Sequence, residues 1–379
     1  MSAGPSSDNT PKALLALDGG GLRGAFSLGV LGEMESLLRK KTGAEDTFVL
    51  SDFFDFIGGT STGAIIATGL ALGWPVDKLK DKYRTLGAAV FHRRRFVPAW
   101  AWSKYPGEPL RRQLQAEFGD RTFGDPDIRT LLMIVLHNRS TDSPWPLVNE
   151  RRAHYNDGRA PTHHNLDLRL WQLLSASTAA PSFFPPVYLD LGTGPKEFVD
   201  GGVTAHNNPA LQMFLSATIP EYQTRWPTGP ENMLLISVGT GSSPQVLTNL
   251  NKLKRHLLYV ATKTPAGLMF AAANHNDVIC RALGETRFGS KIDSELGTMV
   301  EGGLSDLFGY ARYNVELTAR TLDEFGLPPV DPNVLARMDV VDNIETLMTL
   351  GQRYAQTNLA EWHFSFGRRL KVDSGGASS

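Results

Sequence analysis

The chain has 379 residues, 41% of them hydrophobic, with 38 Lys and Arg against 39 Asp and Glu. That apolar content builds one large domain or two smaller ones, and the near-neutral balance gives no global field of the kind that draws nucleic acid, so no nucleic-acid partner is expected. The lone Cys280 excludes an internal disulfide and suits a reducing cytoplasm; the start lacks the basic and apolar pattern of a secretory signal, and the longest apolar runs, 63–72 and 131–136, are too short to span a bilayer, so any membrane contact is expected to be peripheral.

Residues 1–11 and 373–379 are small and polar and are expected to be disordered. Residues 13–17 are an apolar run ending in Asp18 and a cluster of glycines, which reads as a buried strand feeding a tight loop. Leu28, Leu31, Met34, Leu37 and Leu38 then fall at helical spacing over 26–38. Residues 53–57 predict a second buried strand, followed by glycines and a helix over 64–72; 131–136 is a third strand, 166–176 a helix, and 233–238 a fourth strand ending at Gly239-Thr240-Gly241. Strands alternating with helices, with glycine loops at strand ends, predict an α/β domain around a mostly parallel sheet. Ligand chemistry in such folds gathers at the carboxyl ends of the strands, where both N-terminal glycine loops lie. Beyond about residue 245 the segments 257–273 and 341–354 are apolar at helical spacing, with no clear strand, and are expected to form a helical C-terminal region (246–372) packed on the α/β domain (12–245).

Gly59-Thr60-Ser61-Thr62-Gly63 lies between a strand and a helix. A nucleophile elbow needs this composition: the serine sits on a strained turn, the flanking positions must lack side chains, and the next helix aims its N-terminus at the site. The same pattern also serves as a plain strand-to-helix turn with a capping hydroxyl. Ahead of it, Asp18-Gly19-Gly20-Gly21-Leu22-Arg23-Gly24 offers backbone N–H donors for an oxyanion, with the charge of Arg23 beside them. It also matches the dinucleotide fingerprint Gly19-x-Gly21-x-x-Gly24. That reading needs an acid on a second strand about 20 residues on, and 40–46 is a polar, loop-like stretch. Phe198-Val199-Asp200-Gly201-Gly202, taken alone, is an ordinary turn.

Taken together and in this order, Asp18 to Gly24, Gly59 to Gly63 and Asp200-Gly201-Gly202 closely resemble the patatin-like phospholipase family. The run Ala176-Ser177-Thr178-Ala179-Ala180-Pro181-Ser182-Phe183-Phe184-Pro185-Pro186 is similar to that family's segment before its catalytic Asp, and Asn207-Asn208-Pro209 fits after it. The resemblance spans residues 14 to 241. It implies a three-layer α/β/α fold with a C-terminal helical extension. The site it implies is a metal-free Ser–Asp dyad, with Ser61 as nucleophile and Asp200 as base. The N–H groups of Gly19, Gly20 and Gly21 would form the oxyanion hole with Arg23 assisting. It also implies a lipid acyl hydrolase of the phospholipase A or lysophospholipase type, without a cofactor. Some bacterial members of the family are toxic effectors switched on by cyclic nucleotides, which makes a nucleotide activator one further expectation.

Of the nine histidines, His206 lies near Asp200 and is the candidate base of a Ser-His-Asp alternative. Arg93, Arg94, Arg95, Trp100 and Trp102, within the basic and aromatic run 91–102, are candidates for contact with an anionic lipid surface; the cluster 253–256 reads as a solvated helix face. Two other functions stand beside the hydrolase: a dinucleotide-binding oxidoreductase using the Gly19–Gly24 loop, and an interaction protein that keeps the fold without the chemistry.

Overall fold

The structure is a computed structural model that describes residues 10–43, 47–91, 103–158, 164–242, 257–300 and 303–367. The run 92–102 with Arg93, Arg94, Arg95, Trp100 and Trp102, the cluster 253–256, and the chain ends 1–9 and 368–379 lie outside the described residues.

The first half runs β1 (Lys12–Leu17), α1 (Gly24–Thr42), β2 (Phe56–Thr60), α2 (Thr62–Ala71), α3 (Val76–Val90), α4 (Gly107–Phe118), β3 (Leu131–Asn138), β4 (Ser143–Val148) and α5 (Leu170–Ser177). The second half continues β5 (Val187–Asp190), β6 (Pro195–Asp200), α6 (Ala210–Thr218), β7 (Met233–Val238), α7 (Leu257–Leu283), β8 (Glu285–Phe288), β9 (Gly309–Tyr313), α8 (Ala319–Glu324), α9 (Pro332–Leu335) and α10 (Asn343–Asn358). Among the described residues the strands form one sheet in the order β5-β6-β3-β2-β1-β7-β9-β8, with β4 paired to β3 off this path.

Side chains alternate across a strand, and β1 uses both faces. Ala13, Leu15 and Leu17 join a core with residues of α1, α2, α3, α5 and α10, whereas Leu14 and Ala16 join one with Ala210, Met213, Phe214 and Ala217 of α6 and Cys280 of α7. Burial on both faces explains why β1 is a continuous apolar run, and the result is a three-layer α/β/α molecule around a mostly parallel sheet.

Two features differ from the sequence expectation. β2 begins three residues later than the apolar run 53–57 suggests and carries the glycines inside the strand, where Gly58 and Gly59 pair with Met133 and Ile134. A Cβ on Gly58 would lie 2.7 Å from Met213 Sδ, so the glycine is there to let α6 approach the sheet. The C-terminal third, where no clear strand is legible, contributes α7 to α10 but also β8 and β9, both parallel additions to the sheet beyond β7. Arg287 and Arg312 interrupt these strands with charge, and both are buried and satisfied by distant partners, so the apolar pattern that marks a buried strand is missing.

Candidate active site

Ser61 sits between the last residue of β2 and the first of α2 with φ 56 and ψ −127. Side-chain-bearing residues are rare and strained there. The turn closes tightly because its neighbours are bare: a Cβ on Gly59 would lie 2.2 Å from Gly63 O, and one on Gly63 would lie 2.5 Å from Leu17 O. The N-terminus of α2 thereby opens at the serine, placing its positive dipole end beside the hydroxyl.

Asp200 reaches Ser61 through sheet register. Val135 of β3 is opposite both Thr60 of β2 and Pro146 of β4, and the next residue, Leu136, is opposite both Asp200 of β6 and Trp145 of β4. Since β4 occupies one edge of β3, β2 and β6 share the other, running toward each other until their ends meet. Ser61 Oγ donates to Asp200 Oδ2 at 2.6 Å, and Asp200 Oδ1 accepts from Gly202 N at 2.7 Å. Both residues are buried. Burial raises the Asp200 pKa to about 6, against the lowering effect of the hydrogen bonds from Ser61 and Gly202. A base tuned upward from the ordinary carboxylate range is better matched to taking a proton near neutrality.

Ser177, at the end of α5, accepts from Ser61 N at 3.0 Å and donates to Val135 O at 2.7 Å, which ties the elbow to β3. Asp200 N donates to Ala179 O at 3.1 Å. The run 176–186 therefore buttresses both members of the pair.

The glycine loop lies against the elbow. Gly19 N–H donates to Asn207 O at 3.1 Å, so the donors left to face a ligand are those of Gly20 and Gly21. Gly19 O accepts from Thr240 Oγ1 (3.3 Å) and Asn207 Nδ2 (3.4 Å), Gly20 O from Arg23 N and Nε, and Gly21 O from Tyr83 Oη (2.5 Å) and Thr62 Oγ1 (3.1 Å). The Arg23 guanidinium, which the sequence puts beside the oxyanion, instead contacts the carbonyls of Gly20 and Gly241. Burial lowers its pKa to about 10, so it stays charged at neutral pH. Those two carbonyls hold the guanidinium behind the loop, and Arg23 does not line the cavity that opens above Ser61.

Behind Asp18 stands a buried ladder of charge. Arg312 of β9 binds Asp18 through two bonds of 3.0 and 2.6 Å and also bonds Ser237 Oγ at 2.6 Å. Asp277 of α7 lies 3.8 Å from Arg312 Nε and is gripped by Arg281 at 3.0 and 2.7 Å, with Tyr310 Oη at 3.0 Å. Burial raises the Asp18 pKa against the lowering effect of Arg312, and burial alone would lower the Arg312 pKa, but the Asp18 carboxylate raises it above the ordinary value, so the guanidinium is held charged against Asp18. Sequence reading missed Arg312 and Asp277 because nothing local links residues so far apart.

Above Ser61 and Asp200 opens a cavity of about 110 Å³, lined at its polar end by Gly20, Gly21, Ser61 and Asp200 and elsewhere by apolar side chains including Ile65, Leu86, Val90, Leu110 and Phe184. Its rim is tied across the chain: Lys104 and Tyr105 bond Asp339, and Met338 O accepts from Leu22 N at 2.8 Å. His206 lies close by but its contribution is a backbone one, its carbonyl accepting from Thr60 Oγ1 at 2.6 Å; among the described residues no histidine is hydrogen-bonded to Ser61 or Asp200. Among the described residues no cluster of potential metal ligands occurs and no helix is long and apolar enough to cross a membrane.

A model of the family described as "Patatin-like phospholipase" matches residues 15–214. The chain is 32% identical over 241 residues to a cGAMP-activated phospholipase of Vibrio cholerae serotype O1, covering 60% of this chain and 63% of that protein. It is 30% identical over 239 residues to a cGAMP-activated phospholipase of Escherichia coli, covering 60% and 61%, and 29% identical over 255 residues to Patatin-like protein 2 of Arabidopsis thaliana, covering 60% and 60%. These matches span less than two thirds of each relative's length. The family match takes in more than half of the chain and includes the glycine loop, Ser61 and Asp200, and the chain belongs to the patatin-like phospholipase family.

Proposed function

We propose that the chain is a lipid acyl hydrolase of the phospholipase A or lysophospholipase type, working through a Ser61–Asp200 dyad and an acyl-enzyme. The observation that carries this reading is the 2.6 Å bond between Ser61 Oγ and Asp200 Oδ2 at the polar end of an otherwise apolar cavity. Ser61 Oγ attacks the ester carbonyl as its proton passes to Asp200, and the carbonyl oxygen gathers negative charge against the N–H groups of Gly20 and Gly21. Collapse of the tetrahedral species expels the alcohol, which takes the proton from Asp200. A water then gives its proton to Asp200 and attacks the acyl carbon; Ser61 Oγ leaves, recovers the proton, and the fatty acid departs. The apolar wall suits an acyl chain, which needs burial and no hydrogen bonds.

The test is hydrolysis of phosphatidylcholine and lysophosphatidylcholine in mixed micelles, with fluorophosphonate labelling of the nucleophile. Ser61→Ala is expected to lose both labelling and hydrolysis. Hydrolysis by the pure variant above a few per cent of wild type would reject Ser61 as nucleophile.

A second reading concerns control. Two of the relatives are named as activated by cGAMP, and we propose a cyclic dinucleotide as an activator of this chain as well. Turnover measured with and without cGAMP tests it: a rise supports activation, and equal rates across a full titration reject it. Peripheral contact with an anionic membrane through Arg93, Arg94, Arg95, Trp100 and Trp102 belongs to the same proposal of a lipid-degrading enzyme.

A further inference from the structure

We propose that Thr240 is a positioning residue for acyl transfer at Ser61: its hydroxyl holds the Gly19 carbonyl and thereby turns the Gly20 N–H toward the oxyanion. The inference rests on the Ser61–Asp200 reading above. It concerns the Gly239-Thr240-Gly241 turn, which lies beyond the residues matched by the family model and has no part in the dyad.

A trans peptide is planar, so the C=O of one residue and the N–H of the next point in opposite directions. Fixing Gly19 O from behind therefore fixes the Gly20 N–H in front. Thr240 Oγ1 donates to Gly19 O at 3.3 Å, with Asn207 Nδ2 at 3.4 Å as a second, longer partner. Thr240 is buried and stands behind the loop, while Gly20, Ser61 and Asp200 line the cavity. The next peptide repeats the arrangement, since Arg23 holds Gly20 O and leaves the Gly21 N–H to the cavity side. Among the described residues no protein group accepts from either N–H, which is the state an oxyanion hole must be in before substrate arrives.

The hydroxyl is itself held in place. Val238 pairs with Leu17 in the sheet register, so the turn after β7 is carried directly to the loop after β1. Gly239 O accepts from Ser27 Oγ at 2.7 Å, Gly241 O from Arg23 Nη1 at 3.1 Å, and Gly241 N donates to Asn314 Oδ1 at 3.0 Å. A Cβ on Gly20 would fall 2.2 Å from Thr240 Oγ1 and 2.8 Å from its Cγ2, so the side chain packs directly on the peptide it orients. Thr240 touches neither substrate space nor the dyad, and its effect on rate passes through the loop.

The experiment compares wild type, Thr240→Val, Thr240→Ser and Ser61→Ala on p-nitrophenyl butyrate, with active sites counted by fluorophosphonate labelling to completion and folding followed by Tm. Valine keeps the shape and removes the donor; serine keeps the donor. Thr240→Val is expected to lower kcat per labelled site about 10- to 100-fold with KM within about twofold, and Thr240→Ser to restore most of the loss. Wild-type kcat per labelled site in Thr240→Val, a loss that serine does not restore, or a loss that tracks only the folded fraction would each overturn the positioning role while leaving the dyad standing. Activity surviving in Ser61→Ala would overturn the acyl-transfer reading itself, and the positioning role with it.

Discussion

Ser61 holds a backbone conformation that glycine tolerates and serine adopts at a cost of about 1–3 kcal/mol. Ser61→Gly and Ser61→Ala should both be inactive, but chemical unfolding should find the glycine variant more stable by about 1 kcal/mol or more; equal stabilities would mean the elbow is unstrained. Asp200 carries the other residue-scale cost, a carboxylate in a buried site. If Asp200 is the proton acceptor, its pKa of about 6 should give kcat/KM an acid limb with an inflection near pH 6, because the acceptor is lost below it; a profile flat through pH 6 would reject that role. The stability effect has the opposite sense. The folded state binds this proton more tightly than the unfolded chain, whose ordinary value is 3.8, so the contribution favours folding below about pH 4 and is lost as pH rises through about 6. Asp200→Asn should therefore abolish hydrolysis yet show a higher Tm than wild type at pH 8, the gap closing toward pH 4; a gap independent of pH would show that Asp200 titrates elsewhere. The types and spacing of both residues were legible in the sequence, whereas the pKa depends on burial that no local pattern reveals.

At the scale of elements, the site is an encounter of strand ends with a wall of helices. β2 and β6 approach along one edge of β3, and α3 and α4 supply Leu86, Val90 and Leu110 to the cavity above them. If this wall receives the acyl chain, Val90→Trp and Leu110→Trp should shorten it. The ratio of kcat/KM for p-nitrophenyl decanoate over butyrate should fall by at least about tenfold, with butyrate hydrolysis little changed. An unchanged ratio in both variants would place the chain elsewhere. Helical spacing reveals α1 and α2 in the sequence because their apolar stripes sit between glycine loops. The cavity could not be read that way, since it is made of side chains from separate helices whose packing is set by the sheet beneath them.

Across the whole molecule, the C-terminal third is wired into the glycine loop by buried charge. Arg312, at 3% side-chain exposure, faces Asp18 at 5%, and neither has water to replace its partner. Arg312→Met should lower unfolding free energy by about 3–5 kcal/mol, because it leaves a buried carboxylate unpaired. Adding Asp18→Asn should recover part of that loss, as measured by urea unfolding. Additive losses in the double variant would mean the two side chains are energetically independent.

What the sequence determined by itself was local: the strand, elbow and helix around Ser61, the glycine loop, and the Asp-Gly-Gly turn at Asp200. Each depends on residues within a few positions of one another, and φ/ψ permission and side-chain periodicity act at that range. Only the tertiary structure decided that Ser61 and Asp200, 139 positions apart, share a hydrogen bond. It alone decided that Gly19 N–H is already taken, and that Arg23 lies behind the loop. The same holds for Arg312, 294 positions from Asp18, which completes the ion pair beneath it. Those relations are set by strand order and register, where one step along β3 separates the partner of Thr60 from the partner of Asp200. No short-range pattern encodes that step, because hydrogen bonds between strands join residues without regard to the length of chain between them.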